Sequence, residues 1–132
     1  MAFRISSREH NALILMVELA LAKGLLSLDA IAQRMHISQG YLEEIARALK
    51  SAGLISGRQG RGGGYALAGS ASRISLADIL LAVDGPLELV SCQGAVECPV
   101  GHKCPSKKVW SDVQAAIDGS LKGISLASII NE

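Results

Sequence analysis

The sequence is poor in aromatic residues, in net charge and in long apolar runs. Its 132 residues include one Trp, two Tyr and one Phe, although 49% of the residues are hydrophobic. Leu, Ile and Ala must therefore build the core, which favours helices over a β-sandwich. Because the net charge is only +1, any electrostatic function needs local clustering of charged residues.

The N-terminus also lacks the pattern of an export signal, because Arg4, Arg8 and Glu9 precede any apolar stretch. The apolar run at 12–22 includes Glu18 and is too short to span a bilayer. We therefore expect a cytoplasmic protein with no membrane partner, in which thiols stay reduced. The odd number of cysteines, three, argues against a closed disulfide framework.

Periodicity and capping residues predict helices at 7–23, 28–35, 38–52, 76–83 and about 106–118, with a last turn capped by Ser125. Two short strands are expected at 54–56 and 65–67, on either side of the glycine-rich tip GRQGRGGG at 57–64. A helix-turn-helix followed by a two-stranded hairpin is a winged helix. The predicted fold class is mainly α, a winged helix-turn-helix with a small two-stranded wing.

Basic residues cluster in the predicted winged helix, although the net charge of the chain is close to zero. Between 45 and 77 the chain has no acidic residue but carries Arg47, Lys50, Arg58, Arg61 and Arg73. A solvated surface could look the same, but a helix-turn-helix with a basic hairpin favours DNA binding, with the helix N-terminus in the major groove. Glu43 and Glu44 are either ordinary exposed residues or acceptors for cytosine N4.

The sequence gives little support for an enzymatic function. The glycine-rich tip lacks the Gly-Lys-Ser/Thr ending of a nucleotide loop, and a strand rather than a helix follows it. No nucleophile–base pair or acid pair is visible. We expect neither an enzyme nor a protein with a small-molecule substrate.

The cysteines, Cys92, Cys98 and Cys104, are spaced Cys-x5-Cys-x5-Cys, which fits structural zinc poorly. Thiolates hold iron–sulfur clusters, and other ligands sometimes replace one of them. Two alternatives stay open: three cysteines that pack as small apolar groups, and thiol redox sensors without metal. Three cysteines need a fourth ligand, for which the candidates are His102, His10, Glu9 and His36.

These stretches together resemble the family of winged-helix iron–sulfur regulators that includes IscR, NsrR and RirA. The resemblance covers essentially the whole chain and is carried by four segments in order: SQGYLEEIARALKSAGLI, GRGGGY, ISLADILLAVDG, and SCQGAVECPVGHKC followed by Trp110. It implies a DNA-binding domain at 1–83, a cluster-binding cysteine segment at 84–105, and a dimerisation helix with a C-terminal turn at 106–132.

The resemblance also implies a function and its partners. The expected function is that of a homodimeric transcriptional regulator, acting as a repressor, that binds a palindromic operator in double-stranded DNA. The regulator is expected to respond to iron or cluster status, nitric oxide or redox stress. Cys92, Cys98 and Cys104 would bind an iron–sulfur cluster. Taken together with the basic cluster, the residues expected to bind DNA are Ser38, Gln39, Tyr41, Glu43, Arg47, Lys50, Arg58, Gln59 and Arg61.

Two departures from the family pattern stand out. Lys107 occupies the place where IscR-like members carry a histidine ligand, so we favour a 4Fe-4S cluster over a 2Fe-2S one. In NsrR-like members an acidic residue of the first helix is the remaining ligand, and His10 occupies that place here, with Glu9 beside it and His102 as a further alternative. Gly40 and Gln59 also differ from the polar and arginine residues of IscR, so the operator sequence is expected to differ.

Overall fold

The computed structural model describes residues 4–89 and 104–131. Six α-helices and one two-stranded sheet account for most of them. In chain order the elements are α1 (Ser7–Ala22), α2 (Leu28–Met35), α3 (Gln39–Ser51), β1 (Ile55–Arg58), β2 (Gly64–Leu67), a 3-10 turn (Ala71–Arg73), α4 (Leu76–Asp84), α5 (Lys107–Gly123) and α6 (Leu126–Ile130). The predicted fold class, a winged helix-turn-helix, is confirmed.

Serine side chains start most of these helices. Ser27, Ser38 and Ser125 each accept a hydrogen bond from a backbone N–H in the first turn. Ser6 and Ser75 form complete capping boxes with Glu9 and Asp78. Such caps satisfy N–H groups that have no partner within the helix.

One core joins α1, α2, α3, α4 and α6. Its largest fully buried side chains are Leu15, Met16, Leu19, Ile31, Leu42, Ile45, Leu49, Ile79 and Leu126. Burying each contributes about 1.5–3 kcal/mol relative to exposure. α1 lies at the centre, packing against α3, α4 and α6. No side chain of α5 belongs to this core.

Two boundaries differ from the sequence prediction. α5 continues to Gly123 rather than ending at about 118, and the glycine that it contains at position 119 costs a helix interior only about 1 kcal/mol. The strands shift toward the tip, since Gly57 and Arg58 pair with Tyr65 and Gly64. No helix in the two described ranges is long and apolar enough to cross a membrane.

Candidate nucleic-acid interface and cysteine segment

α3 presents one apolar face to the core and one polar face to solvent. Leu42, Ile45, Ala46 and Leu49 are buried. The residues exposed on the other face are Gln39, Gly40, Glu43, Glu44, Arg47 and Lys50. The first turn has no acidic residue, so the positive end of the helix dipole faces outward without a compensating carboxylate.

Two of the predicted DNA-binding residues on α3 have structural roles as well. The Ser38 hydroxyl accepts a hydrogen bond from the Tyr41 backbone N–H at 3.0 Å, which starts the helix. The Tyr41 side chain is partly buried and packs against the core. Gln39 Nε2 donates to Glu43 Oε1 at 3.5 Å, so these two exposed side chains lie along one stretch of the helix surface.

The wing is an antiparallel hairpin in which Ile55 pairs with Leu67 and Arg58 with Gly64. Arg58, Gln59 and Arg61 are all exposed at its tip. Glycine is required at Gly63, where a Cβ atom would lie 2.1 Å from the Arg58 carbonyl oxygen. The tip therefore carries its exposed side chains on a tight backbone turn.

A groove runs between α3 and the wing and collects five of the predicted residues. Gln39, Glu43, Arg47 and Lys50 line it from α3, and Arg58 lines it from β1. Gln59 and Arg61 lie outside it at the tip. Three cations thus face a groove that also contains carboxylates, which suits contact with phosphate together with selective contact with base edges.

Sequence reasoning missed four residues of the groove: Ser27, Leu28 and Asp29 at the start of α2, and Tyr65 on β2. Tyr65 lies in the groove because the Leu26 backbone pairs with it, through N–H to O bonds of 2.9 Å in both directions. This bridge attaches the wing to the α1–α2 connection, and no sequence pattern marked Leu26 as a strand residue.

Comparison with known proteins agrees with this geometry. A family model described as "Rrf2: Iron-dependent Transcriptional regulator" matches residues 5–132. The chain belongs to the Rrf2 family. The IscR transcriptional regulator of Photorhabdus laumondii is 36% identical to it over 130 residues, covering 97% of this chain and 79% of the relative.

Solved structures of Rrf2-type regulators have the same fold. T. potens IscR has 31% sequence identity and a TM-score of 0.77, covering 99% of this chain and 88% of that one. The Staphylococcus aureus CymR oxidized form has 30% identity and a TM-score of 0.77, covering 98% of each chain. This Rrf2 chain is therefore a DNA-binding transcriptional regulator, and the expectation that it is not an enzyme is confirmed.

Of the predicted cluster ligands in this Rrf2 chain, Cys92, Cys98 and His102 lie outside the described residues. Cys104 is described and is a partly exposed free thiol. Its sulfur shares a hydrogen bond of 3.4 Å with the Ser106 hydroxyl. This bond, then the backbone N–H groups of Ser106 and Lys107 and the Lys107 charge, lowers the pKa of the Cys104 thiol from its ordinary value.

The other candidate ligands lie at the start of α1. His10 is exposed, whereas the Glu9 carboxylate accepts a hydrogen bond from the Ser6 backbone N–H at 3.0 Å. The Ser6 hydroxyl also donates to Asp84 Oδ2 at 2.6 Å. Asp84 ends α4 at the start of the 84–105 cysteine segment, so this bond ties the residue that caps α1 to the last turn of α4. Within residues 4–89 and 104–131, no three metal-ligating side chains come together.

α5 carries an apolar face that stays exposed among residues 4–89 and 104–131. Val109, Trp110 and Val113 are each at least 40% exposed. A neighbouring groove between α4 and α5 is lined by Leu81, Leu87, Ile117 and Leu121, with Ile5 from the N-terminal segment. Exposed apolar surface of this kind marks an interaction site.

Proposed function

We propose that this Rrf2-family chain is a homodimeric repressor whose affinity for a palindromic operator depends on an iron–sulfur cluster. DNA binding rests on one observation above the others: the groove where Arg47, Lys50 and Arg58 converge from α3 and the wing. The N-terminal turns of α3 enter the major groove, where Gln39 and Glu43 meet base edges. Arg58, Gln59 and Arg61 follow the adjacent backbone or minor groove.

Cys92, Cys98 and Cys104 hold the cluster. The donor chemistry fits, because the metal ligand is the thiolate and hydrogen bonds to Cys104 favour that form. When bound, the cluster supplies a centre that changes with oxidation, nitric oxide or iron supply. Ser106 and the N–H groups at the start of α5 orient the Cys104 sulfur. We favour the 4Fe-4S form, since Lys107 replaces the histidine of IscR-like members.

His10 is the proposed fourth ligand, reached across the dimer. It lies on the exposed surface of α1, whereas ligation by Glu9 would break the capping box that starts this helix. His102 remains the alternative within the cysteine segment. The bond between Ser6 and Asp84 gives a route by which a change at the cysteine segment reaches α1 and, through α1, the core beneath α3.

The proposed dimerisation is supported by the exposed apolar side chains of α5, which a second copy would cover. Two winged helices related by a two-fold axis read a palindrome with both half-sites on one face of the duplex. We place the protein in the cytoplasm, where its DNA target is accessible and thiols stay reduced.

The test starts with protein purified without oxygen. A visible spectrum, with iron and sulfide measured on the same sample, should reveal thiolate-bound iron. Affinity for a duplex selected from a random pool is then measured for cluster-loaded protein, cluster-free protein and the variant with all three cysteines changed to Ala. We expect the loaded protein to differ at least about tenfold from the other two, a coupling of about 1.4 kcal/mol. Equal affinities in all three samples would refute cluster gating and leave DNA binding intact.

A second candidate is a cluster-independent regulator that senses oxidants through its thiols. The lowered pKa of Cys104 favours it, as does the similarity to an S. aureus CymR structure described as oxidized. It predicts a colourless protein, even after anaerobic reconstitution, whose operator affinity changes with peroxide and recovers with a reducing thiol.

A further inference from the structure

Tyr65 and Lys50 both approach Gly57, at the junction of α3 and the wing. Gly57 stands directly opposite Tyr65 in the hairpin. A Cβ atom built on Gly57 would lie 3.0 Å from Tyr65 Cε1 and 3.6 Å from Lys50 Nζ. A side chain at this position would therefore crowd the Tyr65 ring, whereas the Lys50 ammonium lies at ordinary van der Waals distance from it, so the two groups are neighbours across the glycine.

Tyr65 is the fixed member of this pair. Both of its backbone polar groups bond to Leu26 at 2.9 Å, and its half-buried side chain packs against the core. Lys50 lies in the last turn of α3 and is exposed. Among the described residues no carboxylate forms an ion pair with it. The structure thus has a cation that no carboxylate neutralises, next to an anchored aromatic ring.

Such an arrangement has a consequence for binding phosphate. A lysine side chain free in solvent loses rotamer freedom when it is ordered against a ligand. An aromatic ring near the ammonium attracts and restrains it. The side chain is then partly ordered before the ligand binds, so binding costs less conformational entropy. The groove beside it, lined by Arg47 and Arg58, supplies two further cations along the same path.

We propose that Tyr65 is a positioning residue that holds the Lys50 ammonium at the α3–wing junction for a phosphate of the DNA backbone. Gly57 is part of this arrangement because a Cβ atom there would crowd the Tyr65 ring and lie against the Lys50 ammonium. The inference rests on the DNA-binding function and assigns to Tyr65 a role that no motif in the sequence gave it.

The test measures the salt dependence of DNA affinity by fluorescence anisotropy, with a duplex that the wild-type protein selects from a random pool. Removing one phosphate contact lowers the slope of log affinity against log salt by about 0.9. We expect this loss for Lys50→Ala and Tyr65→Ala, and a smaller loss for Gly57→Ala. The double variant Lys50→Ala/Tyr65→Ala should lose no more than Lys50→Ala alone, because both changes remove one contact.

Two control variants separate this role from general damage. Tyr65→Phe keeps the ring and should bind as the wild type does. Gly69→Ala adds a methyl group where no atom lies within 4 Å and should leave the slope unchanged. Thermal unfolding is measured for each variant; if Tyr65→Ala proves unfolded, Gly57→Ala takes its place in the cycle with Lys50→Ala.

Three outcomes would overturn the proposal: an unchanged slope in both Tyr65→Ala and Gly57→Ala, additive losses in the double variant, or a loss in Tyr65→Phe equal to that in Tyr65→Ala. A wild-type protein that selects no duplex at all would instead refute the DNA-binding function. The two failures are therefore distinguishable.

Discussion

The winged-helix region and α5 differ in how far a single chain completes them. The winged helix has its own core, to which α1, α2, α3 and α4 each contribute buried side chains. α5 is 17 residues long and buries none. Its side chains Val109, Trp110 and Val113 stay open to solvent. Among the described residues, the first region is thus completed by packing within the chain, whereas the second keeps apolar side chains exposed.

α6 is the exception that joins the two regions. Leu126 is fully buried in the winged-helix core. The backbone around it pairs with the segment before α4, through Leu76 N–H to Ile124 O and Leu126 N–H to Ile74 O, both at 2.8 Å. The C-terminal end of α5 is therefore anchored, while its N-terminal end follows the cysteine segment.

The largest expected effect concerns this anchor. Leu126→Ala removes a fully buried side chain, so it should lower the free energy of unfolding by about 2–5 kcal/mol. Val109→Ala on α5, where the side chain is 54% exposed, should change it by less than about 0.5 kcal/mol in the monomer. Urea denaturation at low protein concentration measures both. Similar losses for the two variants would mean that α5 is packed within one chain after all.

Much of the winged-helix region could be predicted because its signals are local. Serine caps and apolar periodicity predict α2, α3 and α4 to within a residue or so. The Leu26–Tyr65 bridge could not be predicted, since a single backbone pairing leaves no pattern in the side chains. It was this pairing that brought Tyr65 into the groove.

The second region was harder to predict for a physical reason. The sequence prediction ended this helix at about 118, whereas α5 continues to Gly123, with Gly119 inside it at a cost of only about 1 kcal/mol. On the candidate site, α3 and wing positions were predictable from the order of elements and the basic residues. The ligand set at Cys92, Cys98 and Cys104 stays a prediction, because convergence of distant side chains depends on tertiary contacts that spacing alone does not specify.

The second expected effect tests the incompleteness of α5. Val113→Glu places a carboxylate on the uncovered apolar face. It should raise the dimer dissociation constant at least about tenfold, or 1.4 kcal/mol, because the charge loses its hydration in the interface. Ser111→Glu adds the same charge to an exposed residue of the same helix on its other side and serves as the matched control. Sedimentation equilibrium measures both; a dimer unaffected by Val113→Glu would place the interface elsewhere.

A smaller effect compares two serines at helix starts. Ser75 caps α4 by accepting a hydrogen bond from the Asp78 N–H at 3.1 Å. Ser106 stands at the same position of α5 but makes no side-chain cap. Ser75→Ala should therefore cost about 0.5–2 kcal/mol of stability, whereas Ser106→Ala should fall within about 0.5 kcal/mol of the wild type. Thermal and urea unfolding measure the stability of both variants. Equal losses of stability in Ser75→Ala and Ser106→Ala would contradict the difference in capping.

The smallest effect shows what Ser106 does instead of capping α5. Its hydroxyl is the largest cause that lowers the pKa of the Cys104 thiol. In a variant with Cys92→Ser and Cys98→Ser, the alkylation rate of Cys104 by iodoacetamide should therefore rise with pH around a midpoint below that of free cysteine, because the thiolate is the reacting form. Adding Ser106→Ala should move the midpoint upward, so that the thiolate is lost at a higher pH as the solution is acidified.

Ser125→Ala, which removes a cap from α6, is the control for this variant and should leave the midpoint in place. A midpoint at the value of free cysteine in all three proteins would mean that the hydrogen bond to Ser106 does not form in solution, and the contrast between the two serines would then need another cause.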